Sequence, residues 1–480
     1  MMMMAMQKAL YKVVRSPAFL LVSWILLGLY FSWLRSIWAD EFTASAQIQN
    51  GLVMGIREIF AVGNPYAPGE LILLWSSKQI FSNWLPMETW MRLAPLAWSA
   101  GTLAVAISLA RKRNLRFLPL LAYFSVTLMW YGGDVRPYAA LLFGGAWALK
   151  LLVDPSPLKP KDYAITLIAL GLGHIYGLCF VTMACLFRRQ WITSIIGLAF
   201  IVFCMKMSGG AAGRLAFVYD RTILPPPIDL AKQTFAALGN PKKVAVFFVP
   251  LATLGLFALW RQRRSDVLKL IPLFAASVAA PMAATIMSKF VFWPRQVVGG
   301  SLPFLFVAAY GLEFLYQRTK GMSRHAVTGL AVLISFGPWI TTIALEIPPF
   351  PNVSMFNFRE VAETLVVNEK KNILNLDPGE HSAMAIYLAN RLGVERVKSV
   401  DGVIAGIPIV KYCWPAKQVC LYSVSPNDLG ITSEADYLPG GRVFPILATN
   451  EIAFDAVIYH HTKLPPQPEP YRERMALRSW

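Results

Sequence analysis

Long apolar runs alternate with short basic clusters over the first three quarters of the chain. A helix of roughly 20 apolar residues spans the ~30 Å hydrocarbon core of a bilayer. The pattern therefore predicts a polytopic α-helical membrane protein, with about eleven transmembrane helices within residues 1–346. The predicted helices cover about 19–38, 91–110, 117–131, 138–153, two short stretches within 163–187, 191–206, 243–260, 270–288, 297–315 and 327–346.

The basic clusters predict which end of each helix faces the cytoplasm. Lys and Arg are retained on the cytoplasmic side of membrane proteins. The clusters RKRNLR, KPK, RR, RQRR and RTKGMSR all fall on one side if 163–187 forms two short helices that meet outside at GHIYG. The N-terminus is then cytoplasmic and the C-terminus external. A single long helix over 163–187 is the alternative, and it would reverse every later helix.

Two regions do not fit the transmembrane pattern. Residues 39–90 form a first outer loop with short amphipathic pieces, which are typical of helices that lie along the membrane interface. Residues 347–480 have ordinary polarity, with alternating apolar pieces such as NILNLD and AFDAVIYH and a helix-like REVAETLVVNEKK. They predict a small soluble α/β domain of about 130 residues on the outer face.

Composition supports the membrane interpretation and limits the classes of binding partner. Hydrophobic residues make up 56% of the chain and charged residues 15%, against ~25% in soluble proteins. The net charge of +18 lies in clusters between apolar runs, which favours lipid head groups over nucleic acid. Cys413 and Cys420 lie close together in the polar tail, where a disulfide is one interpretation and two free thiols the other.

The first candidate for chemistry is the acidic pair Asp40-Glu41, directly after the first apolar run. Carboxylates are costly to desolvate at a membrane surface, so a function should compensate for them. One of them could deprotonate an acceptor hydroxyl, or both could bind a divalent cation. A solvated helix end is the ordinary alternative.

The second candidate for chemistry is a set of cations on the predicted outer side of the membrane, where the positive-inside rule expects few Lys and Arg residues. Arginine matches phosphate oxygens with two parallel hydrogen bonds, so these cations indicate a phosphate site. Contact with lipid head groups is the alternative. The four residues are Arg214, Arg221, Lys289 and Arg295.

Two predicted outer turns carry the remaining polar candidates. GGDVRPY places Asp134, Arg136 and Tyr138 together, and GHIYG places His174 beside Tyr176. An interfacial arginine that reaches the head groups and a packed histidine are the simpler interpretations. The sequence contains neither a P-loop nor a Cys/His cluster with metal-ligand spacing.

Taken in order, six pieces resemble the GT-C superfamily of membrane glycosyltransferases. The resemblance is strongest to the bacterial branch related to protein O-mannosyltransferases and the lipid A aminoarabinose transferase, and it covers about 38–316. The chain departs from the family pattern at Asn64, Asp134 and Gln296, where His, Glu and Tyr are usual. The six pieces are Asp40-Glu41, GNPYAPGELILLW, RLAPLAWSAG, GGDVRPYAAL, GHIYGL and PRQVVGGSLP.

This resemblance implies an inverting glycosyltransferase that moves a sugar from a polyprenyl-phosphate carrier to a glycan, lipid or protein acceptor. It implies that Asp40 is the general base, that Glu41 supports it or a divalent cation, and that Arg295 and Lys289 hold the carrier phosphate. No other cofactor is expected. The remaining candidates, Asn64, Asp134, Arg136, Tyr138, His174 and Tyr176, would order the cavity.

The resemblance also implies a bacterial inner membrane, with the C-terminal domain in the periplasm. Two alternatives come from other classes of protein. One is a transporter or flippase for lipid or polysaccharide. The other is a catalytically silent scaffold of the same fold, which the departures from the family pattern keep open.

Overall fold

The structure is a computed structural model and describes part of the chain. The chain divides into two compact units, 1–33 with 44–341 and 34–43 with 342–480, which are taken separately below. The described residues are 16–34, 51–62, 68–218, 245–288, 294–344, the strand segments of the second unit, and the single positions Glu41, Ile48, Thr234 and Leu238.

The first unit is helical. Two stretches in the described residues, Met87–Arg113 and Arg295–Arg318, are long and apolar enough to cross a membrane, and several shorter helices are also apolar. The helices are α1 (Pro17–Leu34), α2 (Leu52–Val62), α3 (Pro68–Phe81), α4 (Met87–Arg113), α5 (Leu118–Tyr123), α6 (Val126–Gly132), α7 (Tyr138–Val153), α8 (Pro160–Leu172), α9 (Ile175–Phe187), α10 (Trp191–Val218), α11 (Ala245–Ser288), α12 (Ser301–Arg318) and α13 (Met322–Ala344), with a 3₁₀ segment at Pro294–Gly300.

Helix α7 is the centre of this unit. Its sequence YAALLFGGAWALKLLV is apolar on every face, which is typical of a fully enclosed helix, and nearly all of its residues are buried. Two adjacent glycines let neighbouring backbones approach closely. A Cβ at Gly144 would lie 2.8 Å from the Cα of Gly177 on α9, and a Cβ at Gly145 would overlap the carbonyl of Gly299 in the 3₁₀ segment.

Residues 163–187 contain two helices, α8 and α9, separated at Gly173-His174. At one end, Lys150 of α7 pairs with Asp162 of α8 at 2.7 Å. At the other end, the ring of His174 stacks on Tyr138, the first residue of α7. The two helices therefore run in opposite directions beside α7. The prediction of two short helices is confirmed, and the single-helix alternative is wrong.

The end of the bundle that holds Lys150 also gathers other basic residues predicted to be cytoplasmic. Each of them contacts a carboxylate from another helix or its cap. We call this the ion-paired end. Its pairs are Lys112–Asp154 at 2.5 Å, Arg113–Asp266 at 3.1 Å, Arg116–Glu313 at 3.1 Å and Lys150–Asp162 at 2.7 Å.

Two predicted boundaries are wrong. The stretch 117–131 is interrupted between α5 and α6, where the Ser125 hydroxyl accepts a hydrogen bond from the Leu128 N–H and caps α6. Helix α10 continues to Val218, so Arg214 lies in a helix and not in the predicted outer loop.

The predicted break at RQRR is confirmed, as a kink. The span α11 (Ala245–Ser288) consists of two helical segments joined at Arg263, whose backbone angles of φ −151° and ψ 62° lie outside the helical region. The guanidinium groups of Arg261 and Arg264 lie over the rings of Phe257 and Trp260, one turn earlier.

The second unit contains the described strands. Four of them form a mixed sheet in the order β1-β4-β3-β2, and the other two form an antiparallel pair. Two predicted apolar pieces hold strands, NILNLD for β1 and AFDAVIYH for β6, whereas REVAETLVVNEKK lies outside the described residues. The strands are β1 (Asn372–Asn375), β2 (Val400–Ile404), β3 (Ile407–Trp414), β4 (Val419–Ser423), β5 (Arg442–Phe444) and β6 (Ala456–Ile458).

Candidate functional site

The end of α7 opposite the ion-paired end begins at a tight turn. The buried Asp134 carboxylate accepts a hydrogen bond from the Arg136 N–H at 3.2 Å, which closes an Asx turn. Pro137 follows with φ −66°, the angle that its ring imposes. These local constraints start α7 at Tyr138 and bring Asp134, Arg136 and Tyr138 into one turn.

Aromatic rings from neighbouring elements gather around Tyr138. The centroid of its ring lies 6.4 Å from that of His174 and 5.5 Å from that of Tyr131. The ring of Tyr176 lies 5.1 Å from His174, and the Arg295 guanidinium lies 5.5 Å from the Tyr138 centroid, within range of a cation–π contact. We call these residues, with Asp134 and Arg136, the aromatic cluster.

Arg295 reaches the cluster because the 3₁₀ segment packs against α7. Val297 and Val298 are fully buried, and Gly299 faces Gly145. Without side chains at the glycines, the two backbones lie in direct contact and hold the start of the segment beside Tyr138. Gln296, one of the departures from the family pattern, is also buried here.

His174 is held as a neutral ring. Its Nδ1 accepts a hydrogen bond from the Tyr176 N–H at 3.1 Å and caps α9. Burial, and then the positive charge of Arg136, lower the pKa of His174 to about 3. A neutral imidazole whose Nδ1 accepts carries its proton on Nε2. His174 is thus a hydrogen-bond donor at neutral pH and not a cation.

Sequence analysis missed Glu70, in the first turn of α3. Its Oε2 is buried and has no hydrogen-bond partner among the described residues. Burial, and then the negative charge of Asp134, raise the pKa of Glu70 well above its ordinary value. One signal was present: Glu70 is the single charged residue of GNPYAPGELILLW.

Arg92 was also missed as a candidate, although it belongs to the quoted piece RLAPLAWSAG. It lies in α4 with no exposed surface. Ser99, two turns further on the same face of α4, packs against Gly132 at the end of α6. Arg92 therefore lies on the face of α4 that is directed toward α6. An arginine that begins an apolar run is the signal that could have found it.

The structure brings together six of the predicted site residues: Asp134, Arg136, Tyr138, His174, Tyr176 and Arg295. Glu41 is helical and buried, and it belongs to the second unit. For Arg214 only the backbone is described. Within the described part of the chain, no group of three or more His, Cys, Asp or Glu side chains could hold a metal ion. Four candidates lie outside the described residues: Asp40, Asn64, Arg221 and Lys289.

The aromatic cluster supplies donors of several kinds. Two guanidinium groups, a neutral imidazole N–H and phenol hydroxyls lie at one end of an apolar helical bundle. Planar guanidinium groups suit phosphate, and aromatic rings with hydroxyl groups suit a sugar. No protein-family model matches the chain, and no curated protein or solved structure is significantly similar to it.

Proposed function

We propose that the chain is a polytopic membrane glycosyltransferase that takes a sugar from a polyprenyl-phosphate carrier and inverts its anomeric carbon. The observation that carries this proposal is that two arginines from different elements lie at the end of α7 opposite the ion-paired end. The Arg295 guanidinium lies 5.5 Å from the Tyr138 centroid, and Arg136 is near enough to His174, which stacks on Tyr138, to lower the pKa of that histidine.

The surface of the helical unit supports a position in a bilayer. On α10, the side chains of Ile192, Ile195 and Val202 are 77%, 64% and 62% exposed. Soluble proteins rarely leave large contiguous apolar patches in water, whereas lipid solvates them. With the positive-inside bias, the ion-paired end is cytoplasmic and the aromatic cluster lies at the outer face.

The chemistry follows from a phosphate bound at this outer face. As the bond between the anomeric carbon and the carrier oxygen breaks, the phosphate gains negative charge, which Arg136 and Arg295 stabilise. The acceptor oxygen forms its bond from the opposite side and gives its proton to a carboxylate, the role that the resemblance implies for Asp40. This single displacement inverts the anomeric centre. A preorganised donor of this kind is worth about 2.7–4 kcal/mol in the transition state.

Binding of undecaprenyl phosphate to the purified protein tests the phosphate site. A hydrogen bond to a charged group contributes about 1.5–3 kcal/mol, so Arg295→Gln should raise the Kd by about 10- to 150-fold. The matched control is Lys320→Gln, because Lys320 is an exposed cation beyond the end of α12. It should bind as the wild type does.

Equal binding by Arg295→Gln and Lys320→Gln would show that the aromatic cluster is not the phosphate site. Asp40→Asn should keep binding and lose sugar transfer. If the wild type instead moved the sugar lipid across the membrane and left its glycosidic bond intact, the chain would be a transporter.

A further inference from the structure

Glu70 lies close to the aromatic cluster, and the proposed chemistry does not use it. The residue as a whole is half-buried, but its Oε2 is fully enclosed. Among the described residues, no hydrogen-bond donor contacts this oxygen. Enclosed polar atoms in proteins nearly always have a partner, so an exception calls for an explanation. The Glu70 carboxyl lacks the partner that its ionised form would need.

Packing fixes the position of Glu70 at the start of α3. The preceding residue, Gly69, touches the end of α8, where an added Cβ would lie 2.4 Å from the Cα of Leu172. Leu172 lies two residues before His174, a member of the aromatic cluster. Two turns after Glu70, the Ser77 hydroxyl donates a hydrogen bond to a backbone carbonyl of α4 at 2.5 Å. Helix α3 is therefore held between α8 and α4, with its first turn near the cluster.

Of the two neighbouring carboxyl groups, Glu70 is the better place for a proton. Burial, and then the negative charge of Asp134, raise the pKa of Glu70 well above its ordinary value. The Asp134 carboxylate accepts a hydrogen bond from the Arg136 N–H, which favours its ionised form. Glu70 has no such donor at its Oε2 among the described residues. The pair therefore keeps its proton on Glu70, and a protonated carboxyl has one O–H to donate.

The charge of the site indicates which ligand this O–H suits. Arg136 and Arg295 are cations and Asp134 is an anion, so a neutral Glu70 leaves one positive charge in excess. The phosphodiester of a sugar-loaded carrier is a monoanion and matches that excess. An ionised Glu70 would cancel it and repel the phosphate, whereas the acid donates to a phosphate oxygen. A sugar hydroxyl can donate to an ionised carboxylate, so a sugar alone does not require a neutral one.

We infer that Glu70 is a further group of the phosphate site and donates the O–H of its neutral carboxyl to an oxygen of the carrier phosphate. The inference rests on the proposed function and adds an uncharged donor to the two arginines. The proton stays on Glu70 throughout. The hydrogen bond strengthens as the phosphate gains negative charge during sugar transfer, so Glu70 also stabilises the leaving group.

Binding of undecaprenyl phosphate to three variants of the purified protein tests this donor. Glu70→Gln keeps an uncharged N–H donor at the same position and should bind as the wild type does. Glu70→Leu has no donor and should bind about 10- to 150-fold more weakly, which is the range for a hydrogen bond to a charged group. The control Ser77→Ala removes a buried hydrogen bond of the same helix. It should lower the unfolding midpoint and leave phosphate binding unchanged.

Infrared difference spectroscopy of the wild type tests the proton itself. A protonated carboxyl has a carbonyl stretch that a carboxylate lacks, and donation of its O–H to phosphate should shift that band. Addition of undecaprenyl phosphate should therefore give a carboxyl difference band in the wild type and in Ser77→Ala, and none in Glu70→Gln. A difference band that persists in Glu70→Gln, or no band in the wild type, would overturn the inference.

The remaining outcomes separate the inference from the proposed function. If Arg295→Gln weakens phosphate binding and Glu70→Leu does not, the inference fails alone. Equal weakening by Glu70→Leu and Ser77→Ala would trace the loss to the packing of α3 and would also overturn it. If Glu70→Gln binds as weakly as Glu70→Leu, an ionised carboxylate is needed and the inference is wrong. A loss confined to the sugar-loaded carrier would assign Glu70 to the sugar instead. If the wild type does not bind undecaprenyl phosphate, the proposed function and the inference fail together.

Discussion

The contact between Gly145 and Gly299 holds Arg295 in the candidate site, and the substitution Gly145→Ala tests it. The added Cβ would overlap the Gly299 carbonyl oxygen, which is backbone and cannot rotate away. Ordinary contact begins at 3.4 Å, so α7 and the 3₁₀ segment would have to separate by about 1–2 Å. Arg295 lies four residues before Gly299 and would move with the segment.

The expected cost has two parts. Overpacking a buried contact typically lowers the free energy of unfolding by about 1–3 kcal/mol. Displacing a positioned group by about 1 Å can reduce activity by about 100-fold. We expect Gly145→Ala to show a lower unfolding midpoint in detergent and at least about a tenfold weaker affinity for undecaprenyl phosphate, since 1.4 kcal/mol is tenfold.

Gly329→Ala is the matched control. A Cβ at Gly329, on α13, meets nothing within 4 Å, and its backbone angle is ordinary. This substitution should be neutral or stabilise by about 0.4–1 kcal/mol, because it restricts the unfolded chain. If Gly145→Ala matches Gly329→Ala in both measurements, the close backbone contact does not position Arg295.

Three further predictions concern one buried carboxyl group, one pair of cysteines and one buried ion pair. The pKa of Glu70 is raised in the folded protein above its unfolded value of about 4.3, so the folded protein keeps a proton on Glu70 at pH values where the unfolded chain has lost it. The free energy of unfolding should therefore fall as pH rises from the unfolded pKa to the folded pKa. Glu70→Gln should remove this decline in unfolding measured against pH, and an unchanged slope would refute the burial of the carboxyl. Cys413 and Cys420 are Cα partners on antiparallel strands, where opposed Cα atoms are about 4.5–5.5 Å apart, so they should form a disulfide; alkylation of both thiols without reductant would contradict it. Arg113 and Asp266 form a buried pair, so Asp266→Ala should cost about 3–5 kcal/mol in unfolding while Arg113→Leu/Asp266→Leu recovers most of it; a cost below about 1 kcal/mol for Asp266→Ala would show that the pair is solvated.

The helices of the first unit were largely predictable from hydrophobic runs. Residues 138–153 were predicted as one helix, and α7 has those bounds, because Pro137 and Asp154 flank a run that is apolar on every face. The interruption of 117–131 was not predictable in this way. Phe124 and Ser125 are compatible with a helix, and the break depends on the Ser125 cap and on packing of Phe124 against Phe336 of α13.

The candidate site was only partly predictable. The turn containing Asp134 and Arg136 and the pair His174-Tyr176 were recognised as neighbours in the sequence. That both approach Arg295 depends on the antiparallel arrangement of α8 and α9 and on the glycines of α7, which no local pattern reveals. The electrostatic influence of Asp134 on Glu70 likewise arises only when α3 packs into the bundle.

Sugar transfer by the purified protein is the most direct test of the proposed function. The lipid that copurifies with the protein would identify the carrier and its sugar by mass spectrometry, and the same lipid would serve as donor. The wild type should release polyprenyl phosphate and form a product of inverted anomeric configuration by NMR, whereas Arg295→Gln should be at least about 100-fold slower. A retained configuration, or no release from a donor that binds, would contradict the account.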